Sequence, residues 1–292
     1  MTRLITAATV LVAATAAAAD YPRPDLLVEP VALARPGEGN RVVVLDAREK
    51  AKYAAGHVPG ARWVDHAEWA KGFGDGKDAV GWSKRIGVLG ITGDTPVVVY
   101  DDNRSKDAAR IWWVLRYWGV KDVRLLNGGW VGWEKGKHTT ETAEPRFPPP
   151  AFPAVAAPDR LATKDDLLKS LGDGRLQIID ARSEKEFCGI DALTNKRAGA
   201  IPGAKQLEWI DLIDTDTHRF KRPAELAKLF DAAGVRLDRP TATHCQSGGR
   251  AAVMAYGLEL MGAKDVRNYY RSWAEWGNAA DTPVVRPDAK KK

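Results

Sequence analysis

Cysteine is nearly absent from this chain of 292 residues: there are two, Cys188 and Cys245. A disulfide-dense scaffold is excluded, and a chain of this length needs no staple, because it can bury a sizeable core. One bridge between the two cysteines stays open as the bland reading, and a regulatory one with Cys188 as resolving thiol as its functional form. Histidine is also scarce, with five residues. His66, His138 and His218 stand alone, without the spacing of metal ligands, so no metal site is expected. Beyond the N-terminus no apolar run is long enough to span a membrane. There is no concentrated basic patch either. The net charge of +6 arises from 44 basic and 38 acidic residues, interspersed except at Lys290-Lys291-Lys292. That dispersal argues against nucleic-acid binding, and leaves solubility and the attraction of small anions.

What is present is a globular balance, 45% hydrophobic and 28% charged, at a length that suits two domains. The start differs from the rest. Arg3 precedes an apolar run from Leu4 to Ala14, and Ala16-Ala17-Ala18-Ala19 precedes Asp20. This is the layout of a signal peptide, residues 1–19, with a periplasmic mature protein as the expectation. No cysteine near the cleavage region offers a lipid anchor.

The chain then writes one unit twice. Val42-Val43-Val44-Leu45-Asp46-Ala47-Arg48, with Tyr53 behind it, returns as Gln177-Ile178-Ile179-Asp180-Ala181-Arg182 with Phe187. The turn His57-Val58-Pro59-Gly60-Ala61 returns as Ala200-Ile201-Pro202-Gly203-Ala204, after extra residues around Cys188 to Lys196. Val97-Val98-Val99-Tyr100-Asp101 corresponds to Thr241-Ala242-Thr243-His244-Cys245, and Trp130 and Trp133 to Trp273 and Trp276. This is an internal duplication. Strands alternating with helical segments predict an α/β protein of two tandem domains, each a mainly parallel sheet with helices on both faces. The domains are expected at 24–143 and 159–287. Between them, 144–158 is a proline-rich linker, and Thr163 is the expected N-cap of the helix that follows.

Ligands in such sheets bind beyond the C-terminal strand ends, where Asp101 and Cys245 fall. Cys245-Gln246-Ser247-Gly248-Gly249-Arg250 reads as a short loop opening a helix. A cysteine there faces backbone N–H groups and a helix N-terminus, which favour thiolate. Gly248 and Gly249 permit the angles that turn N–H groups inward, and Arg250 can pair with an oxyanion. Asp101 supplies no thiol, so the first copy is expected to be non-catalytic and to wall one side of a cleft between domains. Protein tyrosine-type phosphatases use a similar cradle with one residue more between cysteine and arginine. Here four residues separate Cys245 from Arg250, a narrower cradle that suits one sulfur atom. A phosphatase or arsenate reductase, and a non-catalytic persulfide carrier, are the alternatives.

On these motifs together the chain resembles the tandem-domain sulfurtransferases, the rhodanese and 3-mercaptopyruvate sulfurtransferase family. The resemblance implies two rhodanese-like domains and double displacement through a persulfide on Cys245. It implies no cofactor, a small anionic sulfur donor and a thiophilic acceptor such as cyanide or a thiol; a monomer is expected. Arg182 matches a family arginine that orients the donor; its other reading is a salt bridge to a neighbouring carboxylate. Gln246, Ser247, Gly248, Gly249 and Arg250 would form the donor site. Ser247 matches the serine of the mercaptopyruvate type, whose serine–histidine–aspartate relay would fall on Ser247, His57 and Asp46. A loop ending in arginine leans towards thiosulfate. His244, beside Cys245 on a strand, points to the opposite face and reads as a packed histidine.

Overall fold

The computed structural model describes residues 21–39, 41–147 and 151–289. The expected signal segment lies outside the described residues, as do the linker prolines 148–150. The β-branched runs form strands. The first half holds β1 (Leu27–Val28), β2 (Val43–Asp46), β3 (Arg62–Trp63), β4 (Val97–Tyr100) and β5 (Val123–Leu126). The second holds β6 (Gln177–Asp180), β7 (Lys205–Gln206), β8 (Thr241–His244) and β9 (Val266–Asn268). They make two sheets, in the orders β1-β5-β4-β2-β3 and β7-β6-β8-β9. All pairings within them are parallel. The duplication is visible in the register, since Asp46 lies opposite Tyr100 as Asp180 lies opposite His244. The edge strand β1 has a remnant in the second half, an isolated parallel bridge between Leu161 and Asn268. Strands β2, β4, β6 and β8 are buried along their whole length, as a parallel sheet covered on both faces requires.

The helices of the first half are α1 (Pro30–Leu33), α2 (Lys50–Ala55), α3 (His66–Gly72), α4 (Ala79–Gly87), α5 (Lys106–Tyr117) and α6 (Gly129–Lys135). Those of the second are α7 (Lys164–Asp173), α8 (Glu184–Phe187), α9 (Pro223–Ala232), α10 (Gly249–Leu260) and α11 (Ser272–Trp276). Thr163 caps α7 as expected, in a reciprocal box with Asp166. Helices α5 and α10 pack on each other, so the two halves share one hydrophobic core, with Trp112 edge-on to Tyr256 at 4.9 Å. This contact explains why α10 is apolar on all sides and buried from Ala251 to Leu260: it lies between its own sheet and α5, whereas a surface helix shows one apolar stripe. The linker runs without regular structure along the first domain, where the N–H groups of Val155 and Ala157 donate to the carbonyls of Trp118 and Tyr117 (3.3 and 2.8 Å).

Candidate active site

Strand β8 ends at His244, and Cys245 is the first residue beyond it, at the N-terminal side of α10. The thiol is free and buried, with Cys245 1% exposed. Cys188, half-buried at the C-terminal end of α8, is in no disulfide either, so the possible bridge between the two is not formed. The loop is held from below by α11. The N–H groups of Trp273 and Ala274 donate to the carbonyls of Cys245 and Gln246, each at 3.0 Å. The Ser272 hydroxyl accepts from the Cys245 N–H at 3.0 Å and lies 4.0 Å from the Cys245 Sγ. Ser272 has a φ of 53°, the same left-handed conformation as Gly129 at the equivalent place of the first copy. A side chain with φ > 0 is strained, and here the strain places a hydroxyl against the cysteine.

The first copy shows what such a loop binds. The Asp101 carboxylate occupies its cradle and accepts from the backbone N–H groups of Asn103, Ser105, Asp107 and Ala108, at 2.8–2.9 Å. That loop is one residue longer: left-handed Ser105 is the N-cap of α5, as left-handed Gly248 is of α10. It is closed by Asp107 where the second copy has Arg250. Burial, and then Asp107, push the Asp101 carboxyl up to about 6 against the pull of the N–H groups. The first cradle is therefore filled by its own carboxylate and closed by a like charge. The second holds a thiol and is closed by a cation. The equivalent N–H groups there belong to Gly248, Arg250 and Ala251.

Two arginines were expected to meet the donor, and the structure separates them. Arg182 is 1% exposed. Its guanidinium makes a two-pronged contact with Asp180, Nε to Oδ1 at 2.9 Å and Nη2 to Oδ2 at 2.6 Å, donates to Gly199 O at 2.7 Å, and lies over Trp273 at 4.2 Å. Arg48 repeats this with Asp46, Gly56 and Trp130. The Asp-Ala-Arg motif is thus a salt-bridged strap present in both copies, which is the second of the two readings of Arg182. Arg250 does stand at the loop, but its fork is gripped by Glu186 at 2.7 and 2.8 Å. Burial raises the Glu186 carboxyl, but Arg250 and Ser183 outweigh it and hold the carboxyl below its usual range.

The relay does not assemble. The His57 ring bonds to Tyr53 O at 2.8 Å through Nδ1 and to Ala143 O at 3.3 Å through Nε2, and the Asp46 carboxylate is taken by Arg48 and by the Tyr100 hydroxyl at 2.5 Å. Neither His57 nitrogen meets Asp46 or Ser247. Of the remaining loop residues, Ser247 is exposed, Gly248 and Gly249 are buried, and the Gln246 amide is doubly bonded to Asn195 at 3.0 Å. Asn195 belongs to the insertion that only the second copy carries.

His244 is fully buried, with Nε2 at 3.5 Å from Asp180 Oδ2. The first copy has Tyr100 at this place. Burial pushes the imidazole down to about 4 against the pull of Asp180, so it is neutral at neutral pH. An unfolded histidine takes up its proton near pH 6.5 and the folded one only near 4. Between those values the unfolded chain holds the extra proton, so stability falls as pH is lowered. The expected loss from about pH 7 to about pH 4.5 is roughly 2–3 kcal/mol, read from urea midpoints. In His244→Tyr the fall over this window should shrink by that amount.

Three site residues were invisible to pattern reading. Glu186 had a faint signal, as the fourth residue of a Ser183-x-x-Glu186 capping box. Ser272 had one too, since its copy is a glycine. Arg110 had none: it lies on α5 of the first domain, yet its Nη1 donates to Ser247 O at 2.7 Å and Tyr270 Oη at 2.9 Å. A cleft of about 230 Å³ opens beside Ser247, between Lys71 and Gly74 of the first domain and Tyr270 and Arg271 of the second.

Comparison with known proteins agrees with this architecture. The rhodanese-like domain family matches residues 29–136 and again 163–279. The chain is 33% identical to the sulfur carrier protein TtuD of Thermus thermophilus, over 91% of this chain and 98% of that one. It is 35% identical to a thiosulfate sulfurtransferase of Corynebacterium glutamicum, over 91% and 92%. Among solved structures, SseA from Escherichia coli, described as a 3-mercaptopyruvate sulfotransferase with the rhodanese fold, is 28% identical with a TM-score of 0.72, covering 86% of this chain and 99% of that one. The chain belongs to the tandem-domain sulfurtransferase family, with two rhodanese-like domains of which the second carries the thiol.

Proposed function

We propose that the protein takes the sulfane sulfur of thiosulfate and passes it to a thiophilic acceptor such as cyanide or a thiol. The Cys245 thiolate attacks the outer sulfur of thiosulfate. The new S–S bond forms as the old one breaks, and sulfite leaves with the electron pair. The acceptor then attacks the terminal sulfur of the Cys245 persulfide and restores the thiolate. The observation that carries this reading is the Asp101 carboxylate in the first cradle, bound by four backbone N–H groups: this loop geometry accepts an anionic group at the place where the second copy has sulfur. The choice of thiosulfate over mercaptopyruvate rests on leaving groups. Sulfite departs as a stable anion, whereas pyruvate departs as an enolate that needs a proton. The relay proposed to serve the second reaction is unassembled, with His57 and Asp46 engaged elsewhere.

Mass spectrometry of the intact protein after thiosulfate, and separately after mercaptopyruvate, tests both parts. One added sulfur atom on Cys245 with thiosulfate is the expected result. Sulfur gained only from mercaptopyruvate would reverse the choice of donor, and none from either would sink the transferase reading. Turnover of an aryl phosphate, lost in Cys245→Ser, would support the phosphatase alternative instead. We further propose that the mature protein is periplasmic and monomeric, on the strength of the charged, apolar and alanine-rich start of the sequence and the burial of the α5–α10 contact within one chain. Among the described residues no helix is long and apolar enough to cross a membrane. N-terminal sequencing of the periplasmic fraction, expected to begin at Asp20, and size-exclusion chromatography check these points.

A further inference from the structure

We propose that Arg110, supplied by the domain without a thiol, is the group that recognises the anionic end of the sulfur donor and so determines donor specificity. Around the loop, Arg182 is neutralised by Asp180 and Arg250 by Glu186. At the cleft, Arg271 faces Glu275 and Lys71 faces Glu68, both at 2.9 Å. Arg110 has no carboxylate within ion-pair distance among the described residues. Its partners are a carbonyl and a phenol, Ser247 O and Tyr270 Oη, which orient the guanidinium without cancelling its charge.

Both of those bonds use Nη1. The other edge of the fork, Nε and Nη2, lies against Gly249: a Cβ on that glycine would collide with Nη2 and meet Nε at 3.1 Å. Glycine at this position is therefore what lets the guanidinium approach the first turn of α10. The guanidinium thus sits against the first turn of a twelve-residue helix, and a planar cation beside a helix N-terminus favours an anion. Arg110 lies within electrostatic reach of Cys245 and of Asp107, one turn earlier on α5. Tyr270 is itself fixed, stacked on Trp113 at 5.1 Å and packed on Phe73 at 4.5 Å, so the first domain holds both ends of the clamp.

The inference rests on the sulfurtransferase reading for its ligand, and the experiment separates the two. Cys245 is alkylated with anionic iodoacetate and with neutral iodoacetamide, in the wild type and in Arg110→Gln, beside kcat/KM for thiosulfate. Loss of a hydrogen-bonded charge contact predicts a fall of roughly ten- to a hundredfold in the iodoacetate rate and in kcat/KM for thiosulfate. The iodoacetamide rate should stay within about threefold. If both reagents slow alike, or neither changes, Arg110 merely supports the loop and the proposal is overturned. If Arg110→Gln does not fold, Arg110→Lys carries the test: the charge is kept and the fork lost, so the iodoacetate rate should fall while that of iodoacetamide holds. A wild type that prefers iodoacetate through Arg110 yet gains no sulfur from any donor would remove the transferase reading and leave the anion site standing.

Discussion

Cys245→Ser is expected to lower sulfur transfer by at least about a thousandfold while leaving the melting temperature nearly unchanged. The loss follows from chemistry rather than from geometry. A serine side chain fills almost the same volume beside Ser272, whose hydroxyl lies 4.0 Å from the Cys245 Sγ. It cannot store a sulfur atom, because the alcohol ionises far above neutral pH and an oxygen–sulfur adduct is not a persulfide. The fold should be indifferent, since the first copy already accepts an oxygen ligand, the Asp101 carboxylate, in its version of the cradle. Steady-state assays with thiosulfate and cyanide, beside a thermal melt, check both halves. Residual activity above a few per cent would mean that sulfur moves by a route that bypasses Cys245.

Asp180→Ala is expected to have the largest effect on stability. Asp180 and Arg182 are 0% and 1% exposed, and removing one partner of a buried pair strands the other charge in a medium that cannot solvate it. That costs about 3–5 kcal/mol. Burial alone would raise the Asp180 carboxyl; His244 and Arg182 outweigh it and hold the carboxyl below the usual carboxylate range. Its contribution is therefore present at neutral pH and lost as pH falls through that depressed value, in the same direction as the His244 effect. The exposed pair of Lys164 with Asp281, at 2.7 Å, is the control: Asp281→Ala should leave the urea midpoint nearly unchanged. Urea unfolding distinguishes them, and equal costs for the two variants would contradict the buried-strap assignment. Transfer activity should also suffer in Asp180→Ala, because the strap lies beneath His244, the residue before the nucleophile.

The two straps show how far local pattern reaches. Asp-Ala-Arg was legible as a repeated motif, and its repetition in the copy without a thiol is itself a sign of a structural role. A guanidinium with a carboxylate two residues away closes a local ring in any copy of the unit, whether or not that copy has chemistry to do. By contrast the Asp46–His57 pair, plausible by spacing, fails because spacing says nothing about direction. The His57 ring turns towards Tyr53 O and the segment around Glu141 and Ala143, away from the strand end.

The sequence by itself determined the duplication, the parallel sheets, the capped start of α7, the position of the nucleophile and the fact that the first copy lacks one. Each of these is carried by contiguous residues: β-branched runs, capping residues, glycines and a lone cysteine express their preferences within a few positions. Only the tertiary structure decided which charges are free. Glu186 neutralises Arg250 from a different helix, Asn195 holds Gln246 from an insertion, and Arg110 arrives from the other domain because α5 and α10 pack against each other. The physical reason is that compensation of charge depends on distances of a few ångströms in space, and residues far apart in the chain meet at such distances only once the two halves share a core.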